Sequence, residues 1–162
     1  MLSVPWRARL YAQVLVPTGL GGLSGNKGGI AFCLSLSCFS VVFVNCHLPS
    51  GASAKDKDER NASFREVLRQ LGADLAAAKL PSVADSATFC FGDLNYRLTL
   101  PNKEVRWRMS CRDWRTLLYS DQLMPQLCGE AGSPFECWDE GEIAFRPTCE
   151  LRAEALIAAD CC

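Results

Sequence analysis

Hydrophobic side chains alternate with small or polar ones at the start of the chain. Over 9–16 the apolar residues recur at every second position, and Pro17 follows. A period of two is typical of a half-buried strand, which a proline then interrupts. We therefore predict a strand over 9–16. The next stretch, 18–29, holds six glycines and predicts a loop with close backbone approaches.

The segment 28–53 has no charged residue and on length alone is a candidate membrane span. Its hydrophobic pattern nevertheless has the period of a strand: apolar residues alternate over 30–36, and a β-branched and aromatic run follows at 41–44. We predict two strands joined by a tight turn at 37–40 instead of a membrane-spanning helix. No transmembrane span is expected.

The pattern then becomes helical over 54–79, before Pro81. Its apolar residues recur with helical spacing and are Phe64, Val67, Leu68, Leu71 and Leu75. A short strand is predicted at 88–91, followed by helices at 101–109 and 113–123, the second capped by Asp113. The stretch 135–145 is expected to be extended or looped. Strands interleaved with helices predict an α/β protein.

The composition narrows the class of protein. A chain of 162 residues, 49% hydrophobic and 22% charged, is suited to one globular domain and not to a disordered tail. Its 17 basic and 18 acidic residues leave a net charge of −1, which argues against a protein that binds duplex DNA through bulk phosphate neutralisation. The ten cysteines are scattered, many within apolar runs, and no CxxC pair is present. This usage indicates free thiols in a reducing, cytoplasmic setting.

Three polar clusters stand beside the predicted strands. Their sequences are Ser24-Gly25-Asn26-Lys27-Gly28-Gly29, Asn45-Cys46-His47-Leu48 and Gly92-Asp93-Leu94-Asn95-Tyr96-Arg97. The carboxyl ends of strands are where α/β proteins bind ligands, because loops converge there on a rigid platform. Taken singly, each cluster is equally compatible with an ordinary role: a solvated lysine, a partly buried histidine, a turn. The lysine cluster is not a Walker A sequence.

Together and in this order, the clusters resemble the central part of the inositol polyphosphate 5-phosphatases, in the superfamily that includes DNase I and the exonuclease III-type abasic endonucleases. The resemblance covers about 10–148 and continues in Arg60-Asn61, Asp113-Trp114, Asp121-Gln122-Leu123 and Phe145-Arg146-Pro147-Thr148. It implies a DNase I-like four-layered α/β sandwich, present here only in part, with the outer strands at both ends missing. Residues 1–162 are thus expected to form one partial domain with a divergent tail at 149–162.

The resemblance implies a phosphoric monoester hydrolase that removes the 5-phosphate of phosphoinositides or inositol polyphosphates by water attack assisted by Mg²⁺. Such a site must neutralise a dianion and orient the water. Asp93 is expected to position or deprotonate that water and to ligate the metal weakly, Asn95 to hold a phosphoryl oxygen, and His47 to donate a hydrogen bond to it. Substrate contacts are expected from Lys27, Asn26, Arg97, Arg60 and Asn61.

The implied partner is the phosphoinositide or inositol polyphosphate substrate, with peripheral membrane contact through that substrate and no nucleic acid. The expected location is the cytoplasm, including the cytosolic face of membranes. Two alternatives stay open. One is a pseudophosphatase that binds phosphoinositide headgroups or a protein partner without hydrolysis. The other is a DNase I-like or abasic-site nuclease, which the near-neutral charge disfavours.

Several of the family's functional elements are missing from this sequence. There is no Gln-Glu pair, whose Glu is the family's principal metal ligand, and His47 is the single histidine, so the family's second catalytic histidine is absent. Where the family places Tyr-Lys-Tyr, this chain has Cys149-Glu150-Leu151. Because loss of one member of a catalytic constellation costs orders of magnitude in rate, we expect an incomplete piece that is weakly active or inactive.

Overall fold

The structure is a computed structural model that describes residues 8–19, 24–36 and 39–145. Parts of the predicted glycine-rich loop (20–23) and tight turn (37–38), the Arg146-Pro147-Thr148 element and the tail 149–162 lie outside the described residues. The chain divides into two compact units, Met1–Tyr96 and Arg97–Cys162. Each unit is described by itself.

The first unit is built on a four-stranded sheet. Its strands are β1 (Ala8–Gly19), β2 (Ser24–Leu36), β3 (Phe39–His47) and β4 (Ala87–Asp93), in the order β1-β2-β3-β4. The first three strands pair antiparallel, whereas β4 runs parallel to β3 after the helix α1 (Ala54–Ala77). The two strands predicted within 28–53 are thus confirmed. None of the helices in the described ranges is both long and apolar enough to cross a membrane.

Two predicted boundaries at the β1–β2 connection are wrong. β1 continues past Pro17, which pairs with Gly28, and β2 already begins at Ser24, so that Asn26 and Lys27 belong to a strand and not to a loop. A proline is tolerated because β1 is an edge strand. Gly28 permits the pairing because its φ is +152° and a Cβ there would lie 2.0 Å from the carbonyl oxygen of Val16.

The helix α1 covers one face of the sheet. Ser53 caps it by accepting from the backbone N–H of Asp56, whose carboxylate accepts in turn from the N–H of Ser53. Its apolar stripe is buried and consists of Phe64, Val67, Leu71 and Leu75. The strands contribute buried Val16, Ala31, Cys33, Val42 and Val44 to the core. The predicted helix is confirmed, ending two residues before the predicted boundary.

The opposite face of the sheet is also apolar but much more exposed. Phe32, Phe43 and Phe89 stack across three neighbouring strands with ring centroids 5.1 and 5.6 Å apart. Around them Leu15 is 74% exposed and Phe91 45% exposed. Alternate positions along the strands therefore divide the hydrophobic residues between a covered face and an open one.

The described part of the second unit, 97–145, contains three short helices: α2 (Asn102–Ser110), α3 (Trp114–Tyr119) and α4 (Leu123–Leu127). The predicted cap is confirmed, because Asp113 accepts from the N–H of Thr116 at 3.2 Å. The single helix predicted over 113–123 is wrong. Residues 97–99 pair with 120–122 through backbone hydrogen bonds, and this extended pairing interrupts the helix between α3 and α4. Residues 135–145 form no helix or strand, as predicted.

Substitutions on the covered and the open face of the sheet are expected to differ in their effect on the free energy of unfolding. Leu71 is fully buried between α1 and the sheet, whereas Leu15 is 74% exposed. We expect Leu71→Ala to lower the free energy of unfolding by about 2–5 kcal/mol, because it leaves a cavity. The same substitution at Leu15 is expected to change it by less than about 0.5 kcal/mol. Urea unfolding followed by circular dichroism measures both, and equal losses would contradict this assignment of the core.

Candidate active site

The site lies where the parallel strands β3 and β4 end. His47 is the last residue of β3, Asp93 is the last of β4, and the two are paired in the sheet register. The His47 Nε2 and the Asp93 Oδ2 are 3.6 Å apart, and both side chains are more than half exposed. The pairing continues one step further through the N–H of Leu48, which donates to the carbonyl oxygen of Asp93 at 3.0 Å. Two chemically reactive groups distant in sequence thus share one edge of the sheet.

Lys27 reaches the same edge from β2. The residue after it, Gly28, pairs with His47 across the β2–β3 ladder. The Nζ of Lys27 lies 2.6 Å from the Nε2 of His47. Because an ammonium has only donors, the imidazole nitrogen is the acceptor. Asn26, the neighbour of Lys27 in β2, is exposed beside this edge. The sheet therefore brings a cation, an imidazole and a carboxylate together.

Asn95 connects the two strand ends. Its backbone N–H donates to Asp93 Oδ1 at 3.2 Å, and its side-chain amide donates to the carbonyl oxygen of Leu48 at 2.9 Å. Its φ is +59°, a left-handed conformation that asparagine tolerates better than most residues. The carboxylate of Asp93 is thus oriented by the turn that follows it. The structure brings all three predicted catalytic residues together.

Arg60 and Asn61 lie buried on α1. Arg60 is fully buried on α1, and its Nη1 donates to the carbonyl oxygens of Pro49 at 3.2 Å and Gly51 at 2.9 Å. Asn61 is 6% exposed and accepts a hydrogen bond from the hydroxyl of Tyr96. The expected contact of both residues with substrate stays a prediction. In this structure they lie beneath the loop that follows β3 and hold it in place.

Tyr96 is a site residue to which sequence reasoning gave no role. Its ring lies under the guanidinium of Arg60, 5.2 Å from ring centroid to Cζ, and its hydroxyl binds Asn61. Burial raises the pKa of the Tyr96 hydroxyl, which therefore stays a hydrogen-bond donor. The available signal was its position directly after Asn95, where an aromatic residue can anchor the turn to the helix.

Arg97 belongs to the second unit. Its backbone N–H donates to the side-chain oxygen of Gln122 at 3.1 Å, and its carbonyl oxygen accepts from the N–H of Gln122 at 3.0 Å. These bonds hold the start of that unit in an extended conformation. They give Arg97 a structural position within 97–162, while its expected contact with substrate stays a prediction.

Two thiols lie under the strand ends. Cys46, fully buried, and Cys90 occupy neighbouring positions of β3 and β4. The hydrogen bond with Cys90 and burial raise the pKa of the Cys46 thiol, which keeps it protonated and apolar. Cys33 is buried in the same way. The thiols of this sheet behave as the small core residues that the sequence predicted.

The metal-binding capacity of the described residues is limited. Asp93 offers one carboxylate, and no group of three or more His, Cys, Asp or Glu side chains occurs within the ranges that the structure describes. Mg²⁺ requires octahedral oxygen coordination, with one or two carboxylates from the protein. The described donor set therefore does not fit a complete magnesium site, and Asp93 alone does not hold the ion.

The chain belongs to the endonuclease/exonuclease/phosphatase superfamily. The family described as Endonuclease/Exonuclease/phosphatase family 2 matches residues 9–156. The chain has inositol polyphosphate 5-phosphatases among its relatives. It is 37% identical to synaptojanin-1 of Homo sapiens over 133 residues, and 36% identical to type I inositol polyphosphate 5-phosphatase 2 of Arabidopsis thaliana over 163 residues.

These alignments cover most of this chain but little of its relatives. They include 82% and 91% of the chain, and only 8% and 24% of the two relatives' lengths. A solved structure, the inositol polyphosphate 5-phosphatase domain of SPsynaptojanin in complex with inositol (1,4)-bisphosphate and calcium ion, superposes with a TM-score of 0.52 at 25% identity. It matches 72% of this chain and 32% of that domain. The four-stranded sheet and its helix are thus part of a DNase I-like fold.

The position of Asp93 depends on Gly92. This glycine has φ +124°, and a Cβ there would lie 2.1 Å from the carbonyl oxygen of Cys46. We expect Gly92→Ala to lower the melting temperature and to displace Asp93 from His47, because the β3–β4 ladder must separate. Gly72→Ala is the matched control: nothing lies within 4 Å, so it is expected to stabilise α1 by about 0.5–1 kcal/mol. Thermal melts compare the two; similar stability in both variants contradicts the close approach.

Proposed function

We propose that this chain is part of a phosphoric monoester hydrolase that removes the 5-phosphate of phosphoinositides or inositol polyphosphates. The observation that supports the proposal is the cluster of Lys27, His47, Asp93 and Asn95 at one edge of the sheet, in a chain that is similar to inositol polyphosphate 5-phosphatases. A cation beside an imidazole and an oriented carboxylate is suited to binding a phosphoryl group and positioning a water.

In this proposal each residue has a distinct task. Lys27, with Asn26 beside it, supplies donors and positive charge to the anionic phosphoryl oxygens. Asp93, oriented by the N–H of Asn95, holds the attacking water or accepts its proton. Asn95 offers a neutral amide that adds no negative charge, and His47 donates to the phosphoryl group. Arg97 is retained as a candidate substrate contact, and Arg60 with Asn61 acts by bracing the loop after β3.

Mg²⁺ is the cofactor we propose for the complete family domain, where it would polarise the phosphoryl group. In this chain Asp93 would be one candidate ligand, and no group of three or more His, Cys, Asp or Glu side chains occurs among the described residues. We therefore infer that residues 1–162 form one partial domain and that the chain alone is weakly active or inactive. Its partner is the phosphoinositide or inositol polyphosphate, bound in the cytoplasm or at the cytosolic face of a membrane through the substrate.

A second candidate function is the binding of phosphoinositide headgroups without hydrolysis. The limited metal-binding capacity of the described residues favours it, because Lys27 lies at this edge while no group of three or more His, Cys, Asp or Glu side chains occurs among the described residues. This alternative shares its binding residues with the first proposal. Binding and turnover must therefore be measured separately.

Binding is tested by calorimetric titration of inositol 1,4,5-trisphosphate into the purified chain at low salt. We expect Lys27→Ala to weaken binding by about tenfold or more, since hydrogen bonds to charged groups contribute about 1.5–3 kcal/mol. Lys55→Ala removes an equal charge from an 87% exposed side chain on α1 and serves as the control. Equal losses in the two variants would show general charge attraction and contradict a site at Lys27.

Turnover is tested by phosphate release from vesicles containing phosphatidylinositol 4,5-bisphosphate, with and without Mg²⁺. We expect negligible release by this chain, and headgroup binding that survives Asp93→Asn, because that substitution removes a negative charge from the site without removing Lys27. Mg²⁺-dependent release that disappears in Asp93→Asn would instead show that the chain is a complete catalyst. That outcome would refute the inference that the piece is weakly active or inactive.

A further inference from the structure

The contact between Lys27 and His47 determines where the imidazole carries its proton. The Nζ–Nε2 distance is 2.6 Å, and lysine has no acceptor to offer. Nε2 must therefore present its lone pair to the ammonium. A neutral imidazole has one protonated nitrogen, so its hydrogen is on Nδ1.

Asp93 does not determine which nitrogen of His47 carries the hydrogen. Its Oδ2 is 3.6 Å from the same Nε2, beyond hydrogen-bond distance, and its Oδ1 accepts from the backbone of Asn95. With Nε2 protonated, the carboxylate of Asp93 would be the neighbouring acceptor. Lys27 is instead the hydrogen-bond partner of Nε2. In the absence of phosphate, His47 therefore acts as an acceptor at Nε2, the ring nitrogen that lies 3.6 Å from Asp93.

The backbone holds Lys27 in this position. Gly28 pairs with both Pro17 and His47, and its close approach to the carbonyl oxygen of Val16 fixes the start of β2 against β1. The lysine side chain therefore starts from a fixed strand position one residue before the partner of His47. A donor that reaches its target from a rigid element selects one tautomer more effectively than one on a loop.

We propose that Lys27 is a positioning residue for His47. It keeps the imidazole in the Nδ1–H tautomer while no phosphate is bound. When a phosphoryl group enters, the ammonium of Lys27 donates to a phosphoryl oxygen instead of to Nε2 of His47. Nε2 then takes a proton from water while Nδ1 returns one to water, so the imidazole stays neutral and becomes a donor at Nε2. The exchange step rests on the proposed phosphoryl site, whereas the tautomer in the absence of phosphate does not.

The experiment uses the fact that His47 is the single histidine of the chain. Long-range ¹H–¹⁵N correlation spectra of the ¹⁵N-labelled protein distinguish a protonated from an unprotonated ring nitrogen. The spectra are recorded at a pH of about 8.5, above the ordinary range of imidazole pKa values. We expect Nδ1–H in the unaltered chain and in Lys27→Arg, and Nε2–H in Lys27→Met. Lys55→Met, the control on the exposed side of α1, is expected to leave the Nδ1–H tautomer unchanged.

Nε2–H in the unaltered chain, or the same tautomer in Lys27→Met, overturns the proposal. If Lys27→Met does not fold, the unaltered chain and Lys27→Arg decide it alone, because both must show Nδ1–H. Addition of inorganic phosphate tests the exchange: a shift toward Nε2–H is expected, and an unchanged tautomer in the phosphate-bound chain overturns this step. If the unaltered chain does not bind inositol phosphate but the tautomer of His47 still depends on Lys27, the proposed function is refuted. The positioning role of Lys27 is then still supported.

Discussion

The parallel pairing of β3 with β4 is the constraint on which the rest of the site depends. It places His47 opposite Asp93 and lets Leu48 continue the ladder, so that two side chains 46 positions apart meet at one edge. The pairing needs a glycine at position 92, where any side chain would meet the backbone of Cys46. The crossover helix α1, packed on one face of the sheet, makes this parallel arrangement possible.

The buried polar groups of the first unit serve this edge indirectly. Arg60 donates to two carbonyl oxygens of the loop after β3, and Tyr96 contacts both Arg60 and Asn61. Burial of a guanidinium is costly unless its donors are used, and these backbone oxygens accept hydrogen bonds from its Nη1. The result is a loop fixed from below and an exposed edge where Lys27, His47 and Asp93 face solvent. The residues that hold the loop are therefore different from the residues that present reactive groups at the sheet edge.

Similarity to the inositol polyphosphate 5-phosphatases guides the interpretation of this edge. The alignments cover most of the chain and a minor part of its relatives, and the solved domain in the comparison is matched over 32% of its length. The described side chains at this edge include the ammonium of Lys27 and the oriented carboxylate of Asp93, and the described residues hold no group of three or more His, Cys, Asp or Glu side chains. Binding and catalysis are therefore separable questions for this chain.

The sequence by itself determined the local elements and the motifs. Helical spacing between Phe64 and Leu75 and the period-two pattern of β2 are short-range signals, and the Gly-Asp-Leu-Asn motif marks the site. Only the tertiary structure decided the burial of Arg60, the lysine contact at Nε2 of His47 and the interruption between α3 and α4. These features depend on partners that lie between 9 and 25 positions away in the sequence, and hydrophobic periodicity carries no information about such pairings.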